Sequence, residues 1–323
     1  MRVHPFNHLG LCVCALALAL GTALVAQAQG PTPAPPQAPV PAAAPPAVPV
    51  SPEAQALGTQ FEFVISVADG KGQPVAGLER SEIKMSENGI PAEILDVTPY
   101  PVPVQLTIAV DNGPASADAL SHYRSGLAGL VKALPPGVEV TLLTTSPQPR
   151  AVVRASMDQQ RVLRAVNEFA PEAEAPRFTD TIVEFSQRME KDLKDAKEKV
   201  LPYSPILLIV STTAAEASSY QMPAIEKAMG VIANNRARVM IAMTTTKVGS
   251  TEAVEDMNSG RQALIGIPLT KGTRGRYEAL AQSSRLQTLL PEFGKNIGDT
   301  HRRQVAQVKV TIERPAEVPS RAP

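Results

Sequence analysis

The stretch Val104–Ser116, VQLTIAVDNGPAS, limits what this chain can fold into more than any other. Val104 to Val110 are apolar or β-favouring apart from Gln105, which suits a strand buried on both faces of a parallel sheet. The run then stops at Asp111-Asn112-Gly113-Pro114, a carboxylate and a carboxamide followed by two strong turn formers. In open α/β sheets, ligands bind in the crevice at the carboxyl ends of the strands. The chemistry-bearing residues of this loop are therefore candidates for a binding face.

Downstream, helix and strand periods alternate. Leu120, Tyr123, Leu127, Leu130 and Leu134 recur at helical steps and end at Pro135-Pro136-Gly137. Val138–Thr144 reads as a strand, Arg150–Ala155 as a short edge strand, and Asp158–Phe169 as a helix capped by Asp158 or Ser156. Thr181-Ile182-Val183-Glu184 has the form of a capping box and opens a helix with the apolar stripe Ile182, Phe185, Met189, Leu193, Ala196 and Val200. Ile206–Val210 and Arg238–Thr244 are apolar strands separated by a helix that carries Ile225, Met229 and Ile232 and stops at Asn234-Asn235. Strands separated by helices of these lengths imply right-handed βαβ units and a doubly wound, mostly parallel sheet. Residues 247–275 have weak periodicity and read as a long loop with one short helix around Val254. The basic residues Arg261, Lys271 and Arg274 of this segment and the adjacent Arg276 read as solvated. Arg276–Ala279 reads as a last short strand, and Leu286, Leu289, Leu290, Phe293 and Ile297 mark a final helix.

Both flanks of this α/β region carry strand patterns. Phe61, Phe63, Ile65 and Val67 alternate, and Ile83–Met85 and Ile94–Val97 flank the turn Asn88-Gly89. With about four strands, such a unit leaves an exposed edge. Val305, Val308, Val310 and Ile312 form a closing strand that is expected to cover it, so that the two ends of the fold meet in a small β-sandwich.

The extremities are of another texture. Arg2 and His4, the apolar run Leu9–Val25 and the small-x-small site Ala26-Gln27-Ala28 make residues 1–28 a secretory signal. Cys12 and Cys14, the only two cysteines, lie inside it. The mature chain would then have no thiol for a disulfide, a metal or a nucleophile. Pro31–Pro52 is a Pro/Ala tract without charge, which reads as an extended stalk or as a disordered tail. The division expected is a signal peptide 1–28, a linker 29–59, a β unit 60–100, an α/β domain 101–301, a closing strand 302–315 and a tail 316–323. The 31 Lys and Arg balance 31 Asp and Glu, which argues against nucleic acid or an anionic membrane surface as partner. No second apolar stretch is long enough to span a bilayer. No nucleotide-binding glycine loop follows a strand, no G-x-S-x-G elbow is present, and His122 and His301 stand alone.

The order of elements resembles the von Willebrand factor A fold, and specifically the secreted acidobacterial proteins called VWFA-related. FVISVADGKGQPVAGLERSEIKMSENGIPAEILDV, LTIAVDNG, ILLIVSTT and THRRQVAQVKVTIERP carry the likeness between residues 60 and 315. The resemblance implies a metal-ion-dependent adhesion site, built from D-x-S-x-S after the first strand, a threonine of a second loop and an aspartate after a later strand. Mg²⁺ wants such hard oxygen ligands in octahedral geometry. Asp111 occupies the first position, but Gly113 and Ala115 stand at both serines, with Ser116 one residue out of register. Thr181, or else Thr179, would supply the threonine, and Thr212 stands at the late aspartate between Ser211 and Thr213. One carboxylate holds Mg²⁺ poorly, so no cofactor is expected; Asp111 and Thr181 are what remains for a metal. Structural roles also suit these residues: Asp111 turning its loop, Thr181 capping its helix, Thr212 ending a strand.

The expectation is an exported, non-enzymatic protein-binding module with a degenerate adhesion site. Its binding face would comprise Asp111, Asn112, Ser116, Thr181, Thr212 and Thr213, and its partner would be another protein in the cell envelope, in the periplasm or outside. The alternative is a metal-dependent ligand receptor or an enzyme using Asp111.

Overall fold

A computed structural model describes residues 60–196, 200–245 and 260–315. The expected signal, the linker, the short helix around Val254 and the tail lie outside the described residues. The first strands are β1 (Gln60–Ile65), the short pair β2 (Val67–Ala68) and β3 (Pro74–Val75), β4 (Met85–Glu87) and β5 (Ile90–Pro99). Asn88 and Gly89 join β4 to β5 with φ of 52° and 83°, the left-handed pair that a two-residue hairpin needs. The α/β region follows as β6 (Val104–Val110), α1 (Leu120–Ala133), β7 (Glu139–Thr144), β8 (Arg150–Ser156), α2 (Gln159–Glu168), α3 (Phe178–Ala196), β9 (Ser204–Thr212), α4 (Met222–Asn234), β10 (Arg238–Thr244), α5 (Arg261–Gly272), β11 (Arg276–Leu280), α6 (Leu286–Val305) and β12 (Val308–Glu313).

The large sheet has the order β11-β10-β9-β6-β7-β8, with every neighbouring pair parallel except β7 and β8. β6 lies inside it, and its side chains serve both faces. Val104, Leu106, Ile108 and Val110 join the core with Leu127, Leu130, Val162 and Phe293 of α1, α2 and α6. Ala109 joins the other core with Ile182, Ile225 and Ile265 of α3, α4 and α5. This explains a strand without polar alternation, since neither face meets water. On the first face α1 and α6 approach closely: a Cβ on Gly126 would lie 2.6 Å from Leu286 O, and one on Gly294 2.6 Å from Leu130 O.

The first and last described strands meet in a second sheet of order β1-β12-β5-β4, with β12 antiparallel to both neighbours. Phe61, Phe63 and Ile65 oppose Ile312, Val310 and Val308. Its apolar face, Ile94, Val308, Val310 and Ile312, packs against Leu78 and Ile83. The unit is thus one sheet covered by the β3–β4 connection, where two facing sheets were expected; β2 and β3 form only a separate two-stranded ribbon.

Two boundaries need correction. The supposed loop 247–275 contains α5, whose stripe is dulled by Gly266 and Pro268 and by the outward Leu264, 69% exposed. Gly266 has a packing reason, because a Cβ there would come within 2.9 Å of Ile241 Cδ1 and 3.0 Å of Tyr277. The closing segment 302–315 begins as the last turn of α6, which carries Val305, and becomes a strand only at Val308.

Candidate functional site

Asp111 emerges from β6 at the carboxyl edge of the large sheet, fully buried. Its N–H still donates to Val210 O at 2.8 Å, so the residue leaves the sheet in register with β9. Oδ1 accepts the Gly113 N–H at 2.8 Å and turns the loop. Oδ2 accepts the Ser211 hydroxyl at 3.1 Å, the Thr212 N–H at 3.2 Å and the Thr212 hydroxyl at 3.0 Å. Of the four protein donors on this carboxylate, three meet Oδ2 and one meets Oδ1. Thr212 therefore supplies a proton where an adhesion site would supply a second anion. Among the described residues no cluster of three His, Cys, Asp or Glu side chains is placed to hold a metal. The donor set does not fit Mg²⁺, which needs anionic oxygens and not N–H groups.

A roof closes this edge. Asn112 Nδ2 donates to Ala170 O at 2.9 Å, Asn112 O accepts from Glu172 N at 2.7 Å, and Asn112 Oδ1 accepts from Ser146 N at 3.2 Å. Arg177 continues the clasp, with its N–H on Thr145 O at 3.0 Å and its Nε on Pro147 O at 2.5 Å. Gly113 is required under this roof, since a Cβ would sit 3.0 Å from both Glu174 O and Pro176 Cδ. In consequence Asp111, Asn112, Ser116, Thr181 and Thr212 are buried, and only Thr213 is half-exposed. The six residues do not make a solvent-facing surface. Ser116 in particular turns away from the carboxylate and donates to Gly113 O at 2.8 Å.

The threonines belong elsewhere too. α3 starts at Phe178, ahead of the supposed capping box, so Thr181 lies within its first turn and donates back to Arg177 O at 2.7 Å. Capping comes from the loop after β9. Thr179 gives its N–H to Glu216 Oε2 and Ser218 Oγ, each at 2.9 Å, and its hydroxyl to Glu216 Oε1 at 2.6 Å. Asp180 in turn accepts from Ser219 N at 2.9 Å and Tyr220 N at 3.2 Å, while Arg177 lies 3.3 Å from its carboxylate and donates to Ala217 O at 2.8 Å. Arg177, Asp180 and Glu216 escaped sequence reasoning. The available signal was an acid in the first turn of a helix, where the dipole favours it, and the polar run that follows a wholly apolar strand.

Beneath the roof the hydroxyls of Thr144, Thr145 and Ser146 are buried without partners. Tyr123, fully buried, shares a hydrogen bond of 2.8 Å with Thr244 Oγ1. Burial first, and then the negative charge of Asp111, push its phenol well above the usual range and keep it neutral. Hydroxyls bonded to a carboxylate have the connectivity of nucleophile and base, but Ser211 and Thr212 are sealed from solvent. His122 lies outside this network, 3.2 Å from Gln287 Nε2 on the exposed helix surface.

No family model and no curated protein matches the chain. Among solved structures it is similar to a von Willebrand factor type A protein from Catenulispora acidiphila, at 8% identity over 72% of this chain and 68% of that one, with a TM-score of 0.45. It is also similar to the conserved hypothetical protein BatB from Bacteroides thetaiotaomicron, at 12% identity over 60% and 98% with a TM-score of 0.42. The SpRpn10 VWA domain resembles it at 12% identity over 61% and 98%, with a TM-score of 0.41.

Proposed function

We propose that this chain is an exported, non-enzymatic protein-binding module on a von Willebrand A-like scaffold, in which the adhesion loop has become a structural turn. The carboxylate of Asp111 carries the reading: its oxygens are met by four protein donors in a buried pocket. A group so placed holds β6 to β9, and its buried carboxylate is already occupied by protein donors on both oxygens. Export rests on the apolar run Leu9–Val25 and the Ala26-Gln27-Ala28 site. Among the described residues no helix is long and apolar enough to cross a membrane. The balanced charge favours another protein over nucleic acid as partner, and an exported chain would meet that partner in the cell envelope.

The test is thermal unfolding with excess Mg²⁺ or Mn²⁺ against EDTA. Equal midpoints are expected, because only a ligand that binds the folded state raises them. A metal-dependent rise would favour the rival reading, a receptor or enzyme using Asp111, and would require the roof over residues 170–176 to lift. Capture from envelope extract then tests the protein partner.

A further inference from the structure

At the opposite edge of the large sheet, where the parallel strands begin, two successive crossovers are built alike. α4 is followed by the C-cap Asn235 and α5 by the C-cap Thr273, and the next residues, Arg236 and Arg274, have φ of 55° and 54°. Ala237 N then bonds Ile232 O at 3.1 Å and Gly275 N bonds Thr270 O at 2.8 Å, which closes the same reverse turn twice. A second arginine follows each time, Arg238 opening β10 and Arg276 opening β11. The left-handed position of this turn is ordinarily glycine, because a Cβ is strained there. Here it is arginine in both copies.

Arg236, Arg238 and Arg274 line one cavity of about 500 Å³ together with Ser204, Thr300 and Gln304, and no carboxylate lines it. A helix C-terminus attracts a cation, which accounts for Arg236 and Arg274 taken singly. It does not account for Arg238, which is half-buried and held by Thr300 Oγ1 at 3.1 Å. Burial, and then the charge of Arg303, disfavour its charged form. Among the described residues none of Arg236, Arg238 and Arg274 is in an ion pair, whereas Arg276 is 2.6 Å from both Glu278 and Glu292. Two polar groups also await a partner. Ser204 Oγ accepts from Gln304 Nε2 at 3.1 Å and keeps its own proton to donate, and Gln304 Oε1 is buried with nothing bonded to it.

We infer that this cavity binds a small ligand through a tetrahedral oxyanion, a phosphate or sulfate group seated among Arg236, Arg238 and Arg274. Guanidinium forks match such oxygens in pairs. Ser204 adds a donor, and Gln304 Oε1 accepts from a hydroxyl of the ligand. The site lies across the sheet from Asp111 and is independent of the function proposed above.

The test is thermal unfolding of the purified chain with inorganic phosphate, sulfate or ribose 5-phosphate, each against sodium chloride at equal ionic strength. At about a hundred times the dissociation constant the midpoint should rise by roughly 5–10 °C. A tighter response to ribose 5-phosphate than to phosphate identifies an ester as the ligand, and equal responses identify the free ion. Two variants keep the inference falsifiable. Arg238→Gln should weaken binding at least tenfold. The double variant Arg236→Gly/Arg274→Gly relaxes both strained turns, so it should fold at least as stably and still lose at least tenfold in affinity. The inference is overturned if no anion exceeds chloride. It is equally overturned if the double variant lowers the midpoint yet keeps the full anion response, since the arginines would then be only helix caps.

Discussion

At the scale of single residues, a buried carboxylate is tolerable only when its oxygens are met, and Asp111 meets this with protons from its own fold. Thr212→Val keeps the volume and removes one of those donors, which should cost about 1–3 kcal/mol, read as a lower urea midpoint at unchanged slope. Rebuilding the adhesion loop with Gly113→Ser, Ala115→Ser and Thr212→Asp looks simple from the sequence. In the fold, the Cβ at position 113 meets Glu174 O and Pro176, and a second carboxylate would face Asp111. The triple variant is therefore expected to lose stability, by more than 1–3 kcal/mol, with EDTA and with Mg²⁺ alike. A Mg²⁺-dependent recovery would show that the roof yields. His301 sets a pH dependence. Its Nδ1 accepts the Val104 N–H at 3.2 Å, which requires the neutral ring, and burial first and Arg302 second lower its pKa. The native state then binds fewer protons than the unfolded chain, whose histidine titrates near 6.5. This contribution to stability is intact above about pH 6.5 and declines as the pH falls below it toward the lower native value. Urea midpoints at pH 7.5, 6.5 and 5.5 should fall more steeply for the parent than for His301→Gln, and parallel slopes would remove His301 from the account.

At the scale of elements, legibility followed the clarity of the period. β6, β9 and β10 were plain because they are apolar on both faces, and of the two caps considered for α2 it is Asp158 that accepts from Gln160 N and Arg161 N, at 2.9 and 3.1 Å. α5 was hidden because its glycine and proline answer to neighbours, not to helix propensity. The start of α3 was misplaced because its caps, Glu216 and Ser218, come from a loop distant in sequence. The candidate site suffered in the same way: Asp111 and Thr212 do stand together, but the roof that buries them is a tertiary contact with no local pattern. Glycines show the difference between local and tertiary demand. Gly294→Ala drives a Cβ against Leu130 O and should destabilise by about 1–3 kcal/mol. Gly230→Ala, in α4 with nothing within 4 Å of the new Cβ, should stabilise by about 0.5–1 kcal/mol. Urea unfolding of both variants checks the pair, and a stabilised Gly294→Ala would mean that α1 and α6 are not in close contact.

At the scale of the whole molecule, the described elements belong to one compact unit, yet its two sheets depend on each other unequally. β12 lies between β1 and β5, and among the described residues β1 has no other strand beside it. Among the described residues the large sheet takes no strand after α6, and α6 helps to cover one of its faces. Bonds between the two regions include Tyr100 N on Gln307 O at 2.8 Å, Val102 N on Gln304 O at 3.2 Å and Ser66 Oγ on Arg303 O at 3.2 Å. Truncation after Gln307 keeps α6 and those bonds but removes β12. It strips Val308, Val310 and Ile312 from the small core and leaves Phe61, Phe63 and Val64, each already more than two-fifths exposed, on a strand without a partner. Such an edge aggregates or unfolds locally. Hydrogen exchange on the truncated chain should therefore show Gln60–Ile65 and Ile90–Pro99 losing protection while β6, β9 and β10 keep theirs. If the large sheet lost protection together with β1, the two sheets would be one cooperative unit, and the small sheet would be a structural part of the α/β fold and not an appendage closed by the end of the chain.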